Sequence, residues 1–298
     1  MLGLLDLSLV PGNFVDELSI EYGGGSALWG SGAIGGVIAL NNQSNFDNKL
    51  SLQSQTAIGS FGDFQQQLNF KIGNQKFQSS TRLFHHQADN DFEYQINASL
   101  PVKKQTNAQF SQQALLQELH FKLHPKHHFA AYFWQQFSDR QIPPVTTQNQ
   151  SVAKQKDNFT RLILDWKYLG EKYLLQSKVA YFNEYIDFED PLILLRSLTR
   201  FTTWTGEITG EWHWHPMHKI SFGISEFHTK AYADAYAQPP TEFRTALFAA
   251  YQFHFQKWTT QLSLRQTWVD KKSVPFVPVL GIDGELTPFL FVLSLIHI

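Results

Sequence analysis

The chain has 298 residues, of which 43% are hydrophobic, 15% aromatic and 17% charged, and its formal net charge is −2 at pH 7. This charge balance gives no basic field that would attract nucleic acid. The sequence contains no cysteine, which excludes a disulfide scaffold, a cysteine-ligated zinc site and a thiol nucleophile. No apolar run reaches the roughly 18 residues of a transmembrane helix, so the sequence predicts no such helix.

The first distinctive element is a glycine-dense stretch, Tyr22–Leu40, which reads YGGGSALWGSGAIGGVIAL. Within it, Gly30–Gly35 matches the GxGxxG spacing of a dinucleotide-binding loop. Such a loop must open a helix, whereas the next residues, Gly36–Leu40, include two β-branched side chains and precede Asn41 and Asn42, as in a strand and its turn. The stretch therefore favours a structural turn that needs glycine for positive φ or close packing, and a nucleotide site is the weaker alternative.

Ser26–Ile38 closely resembles the end of the plug domain in TonB-dependent outer-membrane receptors, whose typical form is ALYGSGAIGGVI. The departure is small, since Trp29 replaces the usual tyrosine. The resemblance implies a structural and gating role for the motif Trp29, Gly30, Ser31, Gly32, Ala33, Ile34, Gly35 and Gly36.

Three neighbouring stretches resemble the same family. Asp6–Pro11 and Val15–Glu21 are similar to the preceding part of the plug, although Tyr22–Gly25 departs from the RGP usually found there. Ile58–Gly62 is similar to the first hairpin tip of the family's barrel. Together these stretches cover about the first fifth of the chain, in the correct order.

The rest of the chain alternates in the way a membrane-spanning β-strand requires, with apolar residues facing lipid and polar residues facing a wet interior over about 9 to 11 residues. Phe201–His215 is the clearest case, and residues 242–255 and 258–270 follow the same pattern. A soluble β-sandwich also alternates, but its strands average about 5 to 6 residues. We predict an aromatic girdle at the two headgroup levels, formed by Trp204, Trp212, Trp258 and Trp268.

The connections between these segments alternate in length. The short ones are Gly73–Gln75, His124–Lys126, Gly170–Lys172, Pro216–Met217 and Gln256–Lys257. The long ones are Ala88–Gln112, Ser138–Asn158, Asp187–Arg200 and Tyr232–Pro240. Bacterial barrels have short periplasmic turns and longer extracellular loops. The sequence thus predicts an all-β fold, an antiparallel transmembrane β-barrel with about eleven or twelve of the twenty-two strands that the resemblance implies.

The resemblance also divides the chain. Residues 1–45 are expected to be the C-terminal part of a plug domain, and residues 46–292 the N-terminal half of the barrel. Leu293–Ile298 matches the translation of a transposon end used in sequencing libraries, so we predict adapter read-through there, with an ordinary strand end as the alternative. Met1–Phe14 lacks the basic region of a secretory signal. The signal, the TonB box and most of the plug are expected upstream.

The sequence predicts neither a metal site nor a catalytic site. Among the twelve histidines, His213 and His215 are placed on one face by alternation, but no carboxylate and histidine set converges around them. No GxSxG, HExxH or Walker motif occurs. Glu207 and Glu211 are interpreted as solvated residues of a barrel interior. An outer-membrane barrel enzyme is the alternative from a different functional class.

The resemblance implies an active transporter in the cell outer membrane that imports a scarce, bulky nutrient such as a ferric siderophore or cobalamin. A haem or metal-ion receptor is the alternative. The implied partners are the TonB-ExbB-ExbD complex, outer-membrane lipid and a small-molecule chelate or corrinoid, with no nucleic acid and no cofactor. Asp139–Pro144 resembles a loop of receptors from the Bacteroidetes group, which favours a corrinoid or an iron chelate.

Overall fold

The computed structural model describes residues 9–22, 36–46, 50–234, 236–287 and 290–297. In these residues no helix is long and apolar enough to cross a membrane. The short 3-10 helices are Gly12–Phe14 and Pro191–Ile193. The strands are β1 Glu17–Tyr22, β2 Gly36–Asn41, β3 Leu50–Ile58, β4 Phe64–Gly73, β5 Phe77–Ala88, β6 Glu93–Tyr94, β7 Lys103–Lys104, β8 Phe110–His124, β9 His127–Gln141, β10 Lys154–Leu169, β11 Tyr173–Asp190, β12 Leu195–His215, β13 His218–Ala233, β14 Thr241–Phe255, β15 Trp258–Val269, β16 Lys272–Ser273, β17 Val277–Thr287 and β18 Leu290–His297.

One large antiparallel sheet of fourteen strands dominates the fold, in the order β3-β4-β5-β8-β9-β10-β11-β12-β13-β14-β15-β17-β18, with β16 paired to β15. Strands β1 and β2 form a separate antiparallel pair, as do β6 and β7. The predicted all-β, antiparallel class is confirmed. The main path holds thirteen strands rather than eleven or twelve.

The last strand, Leu290–His297, pairs with β17 and includes all but the last residue of the stretch predicted to be adapter read-through. This pairing has no bearing on the origin of Leu293–Ile298, so the read-through stays a prediction.

Five tight turns lie at one end of the sheet, where the sequence predicted them. One prediction at the other end was wrong. Asp187–Arg200 is not a long loop, because β11 and β12 continue until four residues, Pro191–Leu194, remain between them. Charged residues of this stretch instead pair across the two strands. Arg196 donates from Nε and Nη2 to the two carboxylate oxygens of Asp187, at 3.1 and 2.9 Å.

The two faces of the sheet differ in chemistry. On the face that we call outer, large apolar side chains are exposed; Trp204 keeps 53% and Ile208 56% of their accessible surface. Trp212 is exposed on the same face, and Trp258 and Trp268 are partly exposed. A soluble sandwich would bury these tryptophans. Whether the four form a girdle at lipid headgroups stays a prediction.

The opposite face, which we call inner, carries buried polar side chains and is covered in part by residues 9–16. Buried residues on it include Ser80, Arg82, Gln112, Glu118 and Gln136. Alternation therefore separates an apolar exposed wall from a polar covered one, as in a sheet between lipid and a wet interior.

Candidate functional site at the inner face

The residues before β1 run along the inner face and are tied to it by side-chain amides. The carbonyl of Leu9 accepts hydrogen bonds from Gln112 Nε2 at 2.8 Å and from Gln136 Nε2 at 2.9 Å. Asn13 Nδ2 donates to Asn69 Oδ1 at 2.9 Å. These contacts join strands β4, β8 and β9 to one stretch of chain, which we call the inner segment (residues 9–16).

Arg82 is the centre of the attachment. Its Nη1 and Nη2 donate to Asp16 Oδ1 and Oδ2 at 2.8 and 2.9 Å, and its Nε donates to Glu118 Oε2 at 3.0 Å. Nη1 also donates to the Asn13 carbonyl at 2.9 Å. The side chains of Arg82 and Glu118 are 2% and 1% exposed, so both charges depend on this pairing for compensation.

Asn42, the residue after β2, completes the arrangement with both ends of its amide. Its Nδ2 donates to Glu118 Oε1 at 2.7 Å and to the Phe14 carbonyl at 2.9 Å. Its Oδ1 accepts from the Asp16 backbone amide at 3.0 Å. We call Asp16, Asn42, Arg82 and Glu118 the clamp, because they fasten both ends of the β1–β2 unit to the sheet.

The charge of Asp16 is stabilised in this setting. Burial alone would raise the pKa of its carboxyl group, but hydrogen bonds from Arg82 and from the Gln43 amide, with the positive charges of Arg82 and Lys71, lower that pKa below its ordinary value of 3.8. Asp16 is therefore ionised at neutral pH and holds the guanidinium in a bidentate bond.

An apolar anchor lies beside the clamp. Phe14 is 2% exposed and packs against Phe84, Ala114 and Leu116. Its ring meets Trp134 edge to face, with centroids 5.6 Å apart and an interplanar angle of 67°. The inner segment thus combines a buried ring with a buried ionic network.

Further along the inner face, Arg161 lies among aromatic rings. Its guanidinium carbon is 4.3 Å from the ring centroid of Phe159, 5.0 Å from Trp134 and 5.9 Å from Phe182. Its Nη2 donates to Glu184 at 2.8 Å. A quarter of the Arg161 side chain stays accessible, so a cation with stacked rings faces the interior.

The structure corrects the expected placement of two histidines. A bulge between His213 and His215 interrupts the alternation that put them on one face. His213 approaches Glu211 at 3.5 Å, whereas the His215 ring lies 5.5 Å from that of His218. Among the described residues, no three metal-ligating side chains are close enough to hold a metal ion.

Most of the glycine-rich motif predicted from the sequence lies outside the residues that the structure describes. Trp29 to Gly35 fall outside the described residues, and Gly36 opens β2 with φ 145°. The structure brings together residues that the sequence reasoning missed, namely the clamp. A signal was present, because Arg82 and Glu118 are lone charges in the interior phase of otherwise neutral strand centres, but nothing in the sequence paired them with Asp16.

No protein-family model matches the sequence, and no curated protein matches it significantly. Solved structures do match. The FrpB iron transporter from Neisseria meningitidis (F3-3 variant) is 14% identical with a TM-score of 0.76, over 93% of this chain and 50% of FrpB. The siderophore receptor PiuA from Acinetobacter baumannii is 12% identical with a TM-score of 0.72, over 92% of this chain and 52% of PiuA. The ferric enterobactin receptor PfeA from Pseudomonas aeruginosa is 13% identical with a TM-score of 0.74, over 98% and 50%.

These proteins are TonB-dependent receptors, outer-membrane β-barrel transporters and not enzymes. The chain spans about half of the length of each. At these identities the similarity establishes the fold, which is that of half a receptor barrel.

Proposed function

We propose that this chain is part of a TonB-dependent active transporter of the cell outer membrane, with residues 1–45 in its plug domain and residues 46–292 in its barrel. The observation that carries the proposal is the clamp, which fastens a separate segment to the inner face of a long antiparallel sheet with an apolar outer face. A segment held inside a barrel acts as a gate, since a barrel of this width would otherwise leak.

In this function the clamp supplies a reversible seal. The bond between Arg82 and Asp16 is strong while both groups are shielded from water, and weakens once the segment moves and water enters. The force is assigned to the TonB-ExbB-ExbD complex, acting on the plug domain. No covalent step and no cofactor are needed, and outer-membrane lipid covers the outer face.

The cargo is a scarce, bulky nutrient such as a ferric siderophore or cobalamin, with haem or a metal ion as the alternative. The structural relatives carry iron, siderophores, haem or copper. Cobalamin rests on the resemblance of the sequence.

Uptake by cells that express the full-length protein as their sole receptor of this type tests the proposal. Radiolabelled ferric siderophores, haem and cobalamin are supplied one at a time to cells with and without TonB. We expect concentrative uptake of one of these compounds, and its loss without TonB. Failure of every compound to enter, with the protein present in the outer membrane, would contradict the proposal.

A further inference from the structure

At four of the five tight turns, the last residue before the next strand is a lysine. These residues, which we call the lysine collar, are Lys76, Lys126, Lys172 and Lys257. The fifth turn, Pro216–Met217, has methionine at the same place. All four lysines are exposed at the tight-turn end of the sheet.

Backbone pairing fixes the face on which the collar lies. The Lys122 amide donates to the Lys76 carbonyl at 2.8 Å, so the two residues are directly opposed and share a face. Lys122 alternates in phase with Glu118, a member of the clamp whose carboxylate accepts a hydrogen bond from Arg82 on the inner face. Lys76 therefore belongs to the inner face.

The same argument holds for the rest of the collar. The equivalent amide-to-carbonyl bonds run from Leu169 to Lys126 at 2.8 Å, from His213 to Lys172 at 2.8 Å and from Glu285 to Lys257 at 3.3 Å. Each donor continues the inner-face phase of its own strand. The collar thus lines the interior at one mouth of the sheet.

Positive charge is in excess at this mouth. Lys257 pairs with Glu285 at 2.7 Å, and the nearby Glu211 and Asp165 have their own lysines, at 3.9 Å each. The described residues provide no ion pair for Lys76, Lys126 or Lys172. Glu171, next to Lys172, is the carboxylate that the five turns contain.

Toward the long-loop end of the inner face, two arginines form ion pairs with carboxylates. Nη2 of Arg140 lies 3.3 Å from Asp157, and Arg244 pairs with Glu242 at 2.8 Å. These two arginines therefore have acidic partners, whereas Lys76, Lys126 and Lys172 at the tight-turn mouth have no ion pair among the described residues.

We propose that the lysine collar draws an anionic cargo out of the barrel interior toward the tight-turn, periplasmic mouth. This inference rests on the proposed transport function and adds the cargo's charge. Successive turns are two strands, or about 10 Å, apart, close to the Debye length at physiological salt, so the fields of neighbouring lysines overlap. A cleft lined by one sign of charge concentrates the opposite ion. The inward direction of the lysines favours a cargo in the lumen over an acidic protein docked on the rim.

The first test measures anion binding by the purified full-length protein in detergent, with the trisulfonated dye pyranine as the probe. The triple variant K76Q/K126Q/K172Q should bind the dye about tenfold more weakly, because it lacks three positive charges that attract the sulfonate groups. The control K103Q/K271Q/K272Q removes equal charge at the opposite end and should bind as the wild type does. Equal affinity for the triple variant, or an equal loss in the control, would overturn the inference.

The second test measures transport of ferric citrate, an anionic chelate, beside a neutral ferric hydroxamate. We expect TonB-dependent entry of ferric citrate to slow severalfold in the triple variant, with surface binding at 0 °C unchanged. Wild-type uptake of the neutral chelate alone would overturn the inference and leave the transporter proposal standing. Lack of uptake of any chelate or corrinoid by the wild type would instead overturn the transporter proposal. If the lysine changes affected binding of a polyglutamate peptide and not of pyranine, the collar would be a protein-docking surface and the inference would be wrong.

Discussion

Arg82 and Asp16, 66 residues apart in the chain, form a bidentate ion pair of 2.8 and 2.9 Å across the gap between the inner segment and β5. The same guanidinium donates to Glu118 from the neighbouring strand. One buried cation therefore bridges two anions on separate parts of the fold. Any displacement of the inner segment must break the Asp16 half of this arrangement and can leave the Glu118 half intact.

Because Arg82 has two anionic partners, replacing Arg82 and replacing Asp16 should lower the stability of the protein by different amounts. R82A leaves the Glu118 carboxylate buried without its cation, which should cost about 3 to 5 kcal/mol of stability. D16A should cost less, because Arg82 keeps Glu118 and the Asp16 side chain is 26% exposed. Denaturant unfolding of the full-length protein measures both. The exposed-loop variant K104A, which removes the partner of Asp91, is the control and should leave stability close to that of the wild type, because exposed ion pairs contribute little. Equal costs for R82A and D16A would show that Asp16 carries as much of the network as Glu118 does.

Acid should loosen the inner segment through Asp16. Because the pKa of this carboxyl group is below 3.8 in the folded chain, its contribution is complete above that value and is lost as the pH falls through the lowered pKa. The chain has no cysteine, so S44C provides a unique position for a fluorophore next to the clamp. Anisotropy of this label should be constant from pH 8 to 5 and fall only in stronger acid. In a D16N background the acid step should shrink, and an undiminished step would assign it to another group.

The outer face should tolerate charge far less well than the inner face. Ile208 is exposed outward, and Thr209, the next residue in β12, points inward. I208R should cost about 2 to 4 kcal/mol in a lipid bilayer if the residue lies near the midplane, whereas T209R faces the polar interior and should cost much less. Folding into vesicles, followed by urea titration, compares the two variants. Similar stabilities in lipid would argue against a membrane-facing outer wall.

The role of the glycine motif in seating the plug can be tested at Gly36, the residue of the motif that the structure describes. Gly36 has φ 145°, a conformation that other residues adopt only with strain, so G36A should distort the start of β2 and loosen the seating of the plug. G12A is the matched control, because a Cβ there meets nothing within 4 Å. We expect cells with full-length G36A, and not G12A, to become more sensitive to a large antibiotic that the outer membrane normally excludes. The same result is expected for Gly32 or Gly35 changed to valine. Unchanged sensitivity in all three variants would make the motif a permissive turn without a role in the seal.

Several features could be predicted from the sequence because they depend on local patterns. A strand has a side-chain period of two, so Trp204, Ile208 and Trp212 had to share one face whatever the neighbouring strands were. Proline, glycine and asparagine marked the tight turns in the same local way. The long loop predicted at Asp187–Arg200 was wrong, because the pairing of β11 with β12 continues through this stretch and includes the ion pair of Asp187 with Arg196.

Residue pairs distant in sequence could not be derived in this way. Alternation gives the face of Arg82 and of Glu118, but the register of β5 against β8 places Arg82 opposite Leu116, from where its side chain reaches Glu118 two residues further along β8. The bulge after His213 likewise depends on the pairing of β12 with β13, and it changed the neighbours of His215.

The sequence by itself determined the all-β class, the alternation of apolar and polar faces, the tight turns and the lysines that end them, because each is encoded within a few consecutive residues. Tertiary structure alone decided that Asp16 and Asn42 reach the inner face and that one arginine joins them to Glu118. That choice depends on strand register and on where the inner segment lies. Burial then makes the charges interdependent, since an ion withdrawn from water is stable only beside its partners.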